Sequence, residues 1–183
     1  MRREMLTALT AVTVLSAGAV GCSGVDQPPT TTSVADSADN LIYGLDHSLT
    51  TDGIRSAYLE ADSAYFYTDA QETRLYELRV TFFATTGQER SVVTADSGLY
   101  DGRSGDMIAR GNVVALTPDG RRLTTSELRY ERRSDQITGP APFVFMTADG
   151  QRQEGDAFRS DPDFRNVVVT RGRGELGTVE IER

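Results

Sequence analysis

Turn-forming residues interrupt the chain at short intervals from about residue 41 onward, and this spacing most constrains the fold. The interruptions are Thr86-Gly87, Gly98, Asp101-Gly102, Pro118-Asp119-Gly120, Gly139-Pro140 and Asp149-Gly150. Between them lie runs of about four to ten residues, among them 91–95, 112–117, 123–130, 143–147 and 166–170. Runs of this length suit β-strands and are short for helices. The spacing therefore predicts an all-β domain of many short strands.

The polarity pattern within these runs also indicates strands. In residues 76–82 apolar and polar side chains alternate, which places one face of a strand against a core and the other in water. Asp119-Gly120 and Asp149-Gly150 are typical pairs for tight hairpin turns, because both residue types tolerate positive φ. The sequence thus predicts antiparallel strands joined by short turns.

A short motif recurs along the chain. Val93-Thr94-Ala95-Asp96 with Tyr100 returns 30 residues later as Leu123-Thr124-Thr125-Ser126 with Tyr130, and Leu59-Glu60-Ala61-Asp62 with Phe66 precedes it by 34 residues. Gly87, Gly120 and Gly150 follow the same interval. A unit of two or three strands cannot bury its apolar face alone, so neighbouring units must stack into one elongated antiparallel sandwich. An ordinary immunoglobulin-like sandwich is the alternative, which the absence of Trp and of a Cys pair disfavours.

Composition excludes several classes of function. The formal net charge of −8 opposes the binding of nucleic-acid phosphates. All 19 basic residues are Arg, so chemistry that needs a catalytic Lys is excluded. The chain has one His, His47, and one Cys, Cys22, which limits metal sites and nucleophile–base pairs. These counts disfavour a nucleic-acid partner and leave few residues for a metal site or a catalytic triad.

Carboxylates are the remaining candidates for catalysis or metal binding. The candidates for a glycosidase-type pair are Asp52, Asp62, Asp96, Asp106 and Asp156. They fall in turns and at outward positions, which indicates a solvated surface. Residues 101–106 resemble a calcium loop only faintly, because alternating ligands and the closing Glu are missing. We therefore expect no enzymatic activity, no metal and no cofactor.

Residues 1–21 have the organisation of an export signal. A positive start at residues 1–3 precedes an apolar run from Leu6 to Val20, which is shorter than the roughly 20 residues that span a bilayer. The sequence Ala19-Val20-Gly21-Cys22 resembles the bacterial lipobox, which implies cleavage before Cys22 and acylation of its thiol. The alternative is a secreted protein in which Cys22 has no role. A lone Cys cannot form an internal disulfide, so its presence in an exported chain favours acylation. Residues 22–40 are predicted to be a flexible tether and residues 41–183 the folded domain.

An ordered series of motifs across residues 45–175 resembles the LptC family and its OstA-like relatives. The series is Ala95-Asp96 with Tyr100-Asp101, Ala109-Arg110-Gly111-Asn112-Val113, Asp119-Gly120, and residues 123–128 with Tyr130. The resemblance implies a twisted, open β-jellyroll whose apolar interior holds acyl chains. Gly111, Asn112 and Val113 correspond to the family's glycine motif, in which Gly permits a close approach or bend and Val begins the next strand.

The resemblance also implies partners and a location. Relatives of LptC accept lipopolysaccharide from an inner-membrane ABC transporter and pass it to a periplasmic bridge protein of like fold. Typical members have an N-terminal transmembrane helix, whereas the lipobox here implies a lipid anchor at Cys22. We therefore expect a periplasmic, lipid-anchored protein, at the inner membrane in preference to the outer membrane. An outer-membrane or freely bridging member of the same fold is the alternative.

Alternation selects the residues that would face the interior. They are Tyr76, Leu78, Val80, Phe82, Val113, Phe143, Phe145, Val167 and Val169. In an open jellyroll these side chains would bind acyl chains, whose burial is worth about 0.8 kcal/mol per CH₂. In a closed sandwich they would be an ordinary core, and the chain would be a structural or adhesive surface lipoprotein.

Overall fold

The computed structural model describes residues 38–174. These residues form twelve β-strands in one antiparallel sheet system, which confirms the predicted all-β class. The described part of the chain contains no helix that is long and apolar enough to cross a membrane. The predicted signal, Cys22 and all but the last residues of the predicted tether lie outside the described residues.

Six long strands are followed by six short ones. The long strands are β1 (Asn40–Thr51), β2 (Ile54–Tyr67), β3 (Glu72–Phe83), β4 (Glu89–Asp101), β5 (Met107–Leu116) and β6 (Arg122–Glu131). The short strands are β7 (Gln136–Gly139), β8 (Phe143–Met146), β9 (Arg152–Gly155), β10 (Ala157–Ser160), β11 (Val168–Thr170) and β12 (Arg173–Gly174). The first six are longer than the turn spacing predicted. Gly98, which was expected to break a strand, lies inside β4, where a Cβ atom would meet the Leu78 side chain at 2.6 Å.

The long strands form a meander that divides after β6. Each of β1 to β6 pairs with the next strand, and the far edge of β6 then has two partners. Residues 129–131 of β6 pair with β7, and residues 122–125 pair with β8. One branch continues from β7 through β10 to β11, and the other from β8 through β9 to β12. Pro140 and Pro142 lie between β7 and β8, where a residue without an N–H ends a ladder at low cost.

A line of irregular residues crosses the long strands, and we call it the crease. It consists of Gly44, Asp62, Glu77, Asp96, Gly111, Asn112 and Ser126, at which regular pairing is interrupted. On β1, β3 and β5 its residues have positive φ, for example 50° at Glu77 and 75° at Gly111. The alternation of buried and exposed side chains changes phase there. In β2, for instance, Leu59 and Ala61 are buried before the crease and Ala64 is buried after it.

The crease explains the sequence repeat. Asp62, Asp96 and Ser126, the last residues of the three repeated tetrapeptides, lie on the crease in β2, β4 and β6. The aromatic residue four positions later belongs to the core or packs against it in each case. One sequence repeat of 30 to 34 residues therefore corresponds to two successive strands. Gly87, Gly120 and Gly150 occupy turns with φ of 83°, 92° and 87°, as their common interval predicts.

The turns form two rows, which we call the rims. The first rim comprises residues 52–53, 84–88, 117–121 and 147–151, and the second comprises residues 68–71, 102–106, 132–135 and 161–167. The half-sheets on the two sides of the crease face each other around an apolar core. Phe82, beside the first rim, contacts Tyr130, beside the second, with ring centroids 4.8 Å apart, although their strands are not neighbours in the sheet.

Candidate functional site

The apolar interior contains most of the residues that alternation selected. Seven of the nine are at most 7% exposed: Leu78, Val80, Phe82, Val113, Phe143, Phe145 and Val169. Val167 is partly buried and packs against the same cluster. These side chains come from both halves of the sheet, so the two inner faces form one continuous apolar surface.

The prediction that Tyr76 faces the interior is wrong. Its side chain is 39% exposed, and Leu75, at 2%, takes the inner position. The reason is Glu77, whose φ of 50° changes the phase of the strand between Tyr76 and Leu78. The Tyr76 ring instead packs edge-on against Tyr65, with centroids 5.5 Å apart. The alternation of residues 76–82 continues without interruption and does not indicate this change, since Glu rarely adopts positive φ.

Side chains fill the interior in this conformation. A cavity of about 20 Å³ lies among core residues that include Leu78, Phe82 and Met107. Such a volume is enough for about one water molecule and far too small for an acyl chain. Acyl chains would therefore enter only if the two half-sheets move apart.

An arginine on β4 joins the two rims. Arg90 Nη1 donates to Asp135 Oδ2 at 2.7 Å, and Arg90 Nε donates to Asp163 Oδ2 at 3.1 Å. The Tyr130 hydroxyl donates to the other oxygen of Asp135 at 3.1 Å. Burial, together with the charge of Asp135, raises the pKa of Tyr130, so the hydroxyl stays protonated and remains a donor. This network holds the mouth of the interior closed over Phe82 and Tyr130.

A second arginine fixes the loop between β10 and β11. Arg121 Nη1, on the first rim, donates to the carbonyl oxygen of Phe164, on the second rim, at 2.9 Å. Phe164 and Pro162 are buried. Asp161 organises the loop by accepting from Arg165 N at 3.1 Å and from Asn166 Nδ2 at 2.8 Å. The loop therefore closes the interior at the second rim.

Sequence analysis did not find these rim contacts. Arg90 and Asp135 are 45 residues apart, and Arg121 and Phe164 are 43 residues apart. Each residue falls in or beside a turn, where charged side chains are common and carry no pairing signal. The contacts depend on how the sheet folds over.

The glycine motif lies on the crease. A Cβ atom at Gly111 would lie 2.5 Å from Asp96 Oδ2, and the same oxygen accepts from Asn112 Nδ2 at 2.8 Å. The motif thus combines positive φ with the close approach of Asp96. The expectation that Val113 begins the next strand is wrong. Val113 lies in β5 with Gly111, because a register shift between Arg110 and Val113 lets the strand continue past the crease.

The five candidate carboxylates lie on different elements: Asp52 in the β1–β2 turn, Asp62 in β2, Asp96 in β4, Asp106 in the turn after β4, and Asp156 between β9 and β10. Asp62 and Asp96 lie on the crease, and Asp106 accepts from the backbone N–H of Arg132 at 2.9 Å. Residues 101–106 form the turn between β4 and β5, where Asp101 Oδ1 accepts from Arg103 N at 2.7 Å. Within residues 38–174 no three His, Cys, Asp or Glu side chains come together as metal ligands. The described part of the chain instead offers the apolar interior, which is suited to binding and not to catalysis.

The creased antiparallel sheet, folded over an apolar interior, defines an elongated β-jellyroll. A family model described as "Lipopolysaccharide-assembly, LptC-related" matches residues 8–163, which is most of the chain. The chain belongs to this family. It is therefore a non-enzymatic protein of lipopolysaccharide transport in the cell envelope, and the resemblance seen in the sequence is confirmed.

Comparison with solved structures supports the same fold. The crystal structure of LptH from Pseudomonas aeruginosa, described as "the LptA homologous periplasmic component of the conserved lipopolysaccharide transport device", is similar with a TM-score of 0.50 and 13% sequence identity. The similarity covers 69% of this chain and 89% of that chain. At this identity it shows the fold alone. No curated protein matches the chain significantly by sequence.

Proposed function

We propose that the protein binds lipopolysaccharide with its acyl chains in the apolar interior and relays it. The donor would be an inner-membrane ABC transporter, and the acceptor a periplasmic bridge protein of like fold. Family membership supports a role in lipopolysaccharide transport, and the interior supplies an apolar surface of suitable chemistry. Each buried CH₂ contributes about 0.8 kcal/mol, so several acyl chains would bind strongly.

The main support for this proposal is that side-chain contacts, and not backbone ladders, close the interior. Polar contacts of Arg90 and Arg121 join the rims, whereas backbone ladders join the strands. Parting the rims therefore breaks these polar contacts and separates the apolar side chains that pack across the interior, but it leaves the backbone ladders of the sheet paired. The same movement exposes the inner faces, including Phe82, Phe143 and Phe145. A closed state with a filled core and an open state with bound acyl chains are thus accessible to one sheet.

The edges of the sheet offer a route for hand-over. Among the described strands, β1 pairs with β2 alone, so its other edge presents backbone N–H and C=O groups. A bridge protein of like fold would pair with a free edge by strand addition, which makes the two interiors continuous.

We also propose that a lipid at Cys22 anchors the protein in the periplasm, at the inner membrane in preference to the outer membrane. The lipobox-like sequence before Cys22 supports this anchor. A lipid anchor followed by a polar tether would leave the folded domain free to reach the transporter.

Site-specific photo-crosslinking tests the binding role. A photoreactive residue at Phe82, Phe143 or Phe145 should capture lipopolysaccharide, because these positions face the interior. Tyr76 and Arg79, on the outer face, are the matched controls and should not capture it. With the purified transporter as donor, capture should require ATP, because removing a multi-acyl lipid from a bilayer gives up its burial there.

Two results would overturn the proposal. Equal capture from Tyr76 and Phe82 would indicate non-specific surface adhesion. No capture from any inward position in a correctly folded protein would instead favour a closed sandwich.

A further inference from the structure

The two rims leave a gap beside β1. A cavity of about 280 Å³ lies there, between residues 47–50 of β1 on one side and Gly105 and Arg132 of the second rim on the other. Its floor includes Ala57 and Tyr130 of the core, and Leu49 and Tyr100, which pack against the core. The cavity therefore connects solvent with the apolar interior.

The outer wall of this cavity is polar. His47 of β1 shares the inner face with Leu49, since the two pair with the buried Leu59 and Ala57. Arg132 lines the cavity from the opposite rim. An opening with an apolar floor and a polar, cationic wall is suited to an amphiphile that carries a negative charge where its chains join its headgroup.

Local packing positions the side chain of Arg132. A Cβ atom at Gly105 would lie 2.5 Å from Arg132 Cδ, so the arginine crosses the turn in space that only glycine leaves free. The backbone N–H of Arg132 donates to Asp106 Oδ1 at 2.9 Å, which joins the turn 102–106 to the turn 132–135. The positive φ of Gly105, 78°, further favours glycine there. Two turns of the second rim thus present one guanidinium group to the gap.

The charge of the whole chain makes this cation significant. A protein with a net charge of −8 repels an anionic amphiphile at long range, so a local cation is needed where the anion comes to lie. Arg90 and Arg121, which join the two rims, are already engaged by Asp135, Asp163 and the carbonyl of Phe164. A guanidinium group binds a phosphate through two parallel N–H donors, which a Lys would not do.

We propose that the gap holds the anionic headgroup of the bound amphiphile, with a phosphate group paired to Arg132 and the acyl chains passing inward past Tyr100 and Tyr130. This inference rests on the proposed lipid-binding function and adds to it a headgroup site and the chemistry of the group that it recognises. The polar head remains near solvent, so the interior receives only apolar chains.

Equilibrium binding of two lipids to the purified full-length protein tests the headgroup site. The probes are diphosphoryl lipid A and the same lipid with both phosphates removed. In the unaltered protein the phosphates should tighten binding by about 3- to 10-fold. Arg132→Gln should abolish that preference and leave the affinity for the dephosphorylated lipid unchanged, which also shows that the variant folds. Arg133→Gln, the neighbouring exposed arginine outside the cavity lining, should keep the preference.

The outcomes separate this inference from the proposed function. If the unaltered protein binds neither lipid, the proposed function and the headgroup site both fail. If it binds both lipids but Arg132→Gln keeps the phosphate preference, the headgroup site alone is overturned. Equal loss of both affinities in Arg132→Gln would show a structural role and would likewise overturn it.

Discussion

Arg90 Nη1 lies 2.7 Å from Asp135 Oδ2, and this contact joins the start of β4, beside the first rim, to a turn of the second rim. The Arg90 side chain is only 15% exposed, and it also pairs with Asp163. A partly buried guanidinium group with two carboxylate partners is more stabilising than a surface pair, because its loss leaves both partners poorly satisfied. The contact therefore controls how easily the interior opens.

Arg90→Gln is expected to weaken the closed state. It should lower the free energy of unfolding by about 1–3 kcal/mol and increase the binding of a fluorescent apolar dye to the native protein. Chemical denaturation and dye titration below the unfolding transition measure the two effects. Arg79→Gln is the matched control, since Arg79 pairs with Glu60 at 3.6 Å on the outer face. It should cost less than about 1 kcal/mol and leave dye binding unchanged. Identical behaviour of the two variants would contradict a rim function for Arg90.

Gly111→Ala should lower the free energy of unfolding by more than the positive φ of residue 111 alone would cause. Gly111 and Gly87 have similar φ, 75° and 83°, but a Cβ atom meets Asp96 at position 111 and open space at position 87. Gly87→Ala should therefore cost about 1 kcal/mol, and Gly111→Ala about 3 kcal/mol. Gly111→Arg should be at least as damaging and should impair assembly with transporter and bridge. Thermal and chemical unfolding compare the variants, and equal costs at positions 87 and 111 would show that the approach of Asp96 is unimportant.

Asp119 should make part of the stability depend on pH. Hydrogen bonds from Arg121 and then Thr117 hold the pKa of Asp119 well below its ordinary value of 3.8. The unfolded chain takes up this proton at a higher pH than the folded chain does. The contribution is therefore complete above about pH 4 and is lost as the pH falls below that value.

Asp119→Asn tests this pH dependence. The variant should be less stable than the unaltered protein at pH 7, by less than about 1 kcal/mol because the carboxylate is exposed. The difference should shrink at about pH 2.5. Denaturant unfolding of both proteins at the two pH values gives the comparison, and a difference that does not change with pH would contradict the assignment.

Cys22→Ala should release the protein from the membrane or leave its signal uncleaved, because Cys22 is the predicted acylation site. Ser23→Ala, at the neighbouring position, should remain anchored. Membrane fractionation measures anchoring, and mass spectrometry of the mature N-terminus identifies the modification. An unmodified N-terminal residue other than Cys22 would rule out the lipid anchor.

Local chemistry in the sequence was sufficient to predict the all-β class and several turns, but not the full length of the strands. Asp119-Gly120 and Asp149-Gly150 do form hairpin turns, and their preceding threonines act alike. Thr117 Oγ1 accepts from Arg121 N and Thr147 Oγ1 accepts from Gln151 N, each at 3.0 Å. Such contacts lie within five residues, so they can be recognised without knowledge of the fold. The motif series predicted the family for the same reason, since each of its members is short and local.

Tertiary structure alone decided the phase of the strands and the closure of the interior. Tyr76 points outward because Glu77 adopts positive φ on the crease, and the crease exists only where several strands align. Arg90 and Arg121 join the rims because the sheet folds over and brings together residues more than 40 positions apart. Alternation describes one strand at a time, so it cannot show where neighbouring strands change phase together or which turns meet across the mouth.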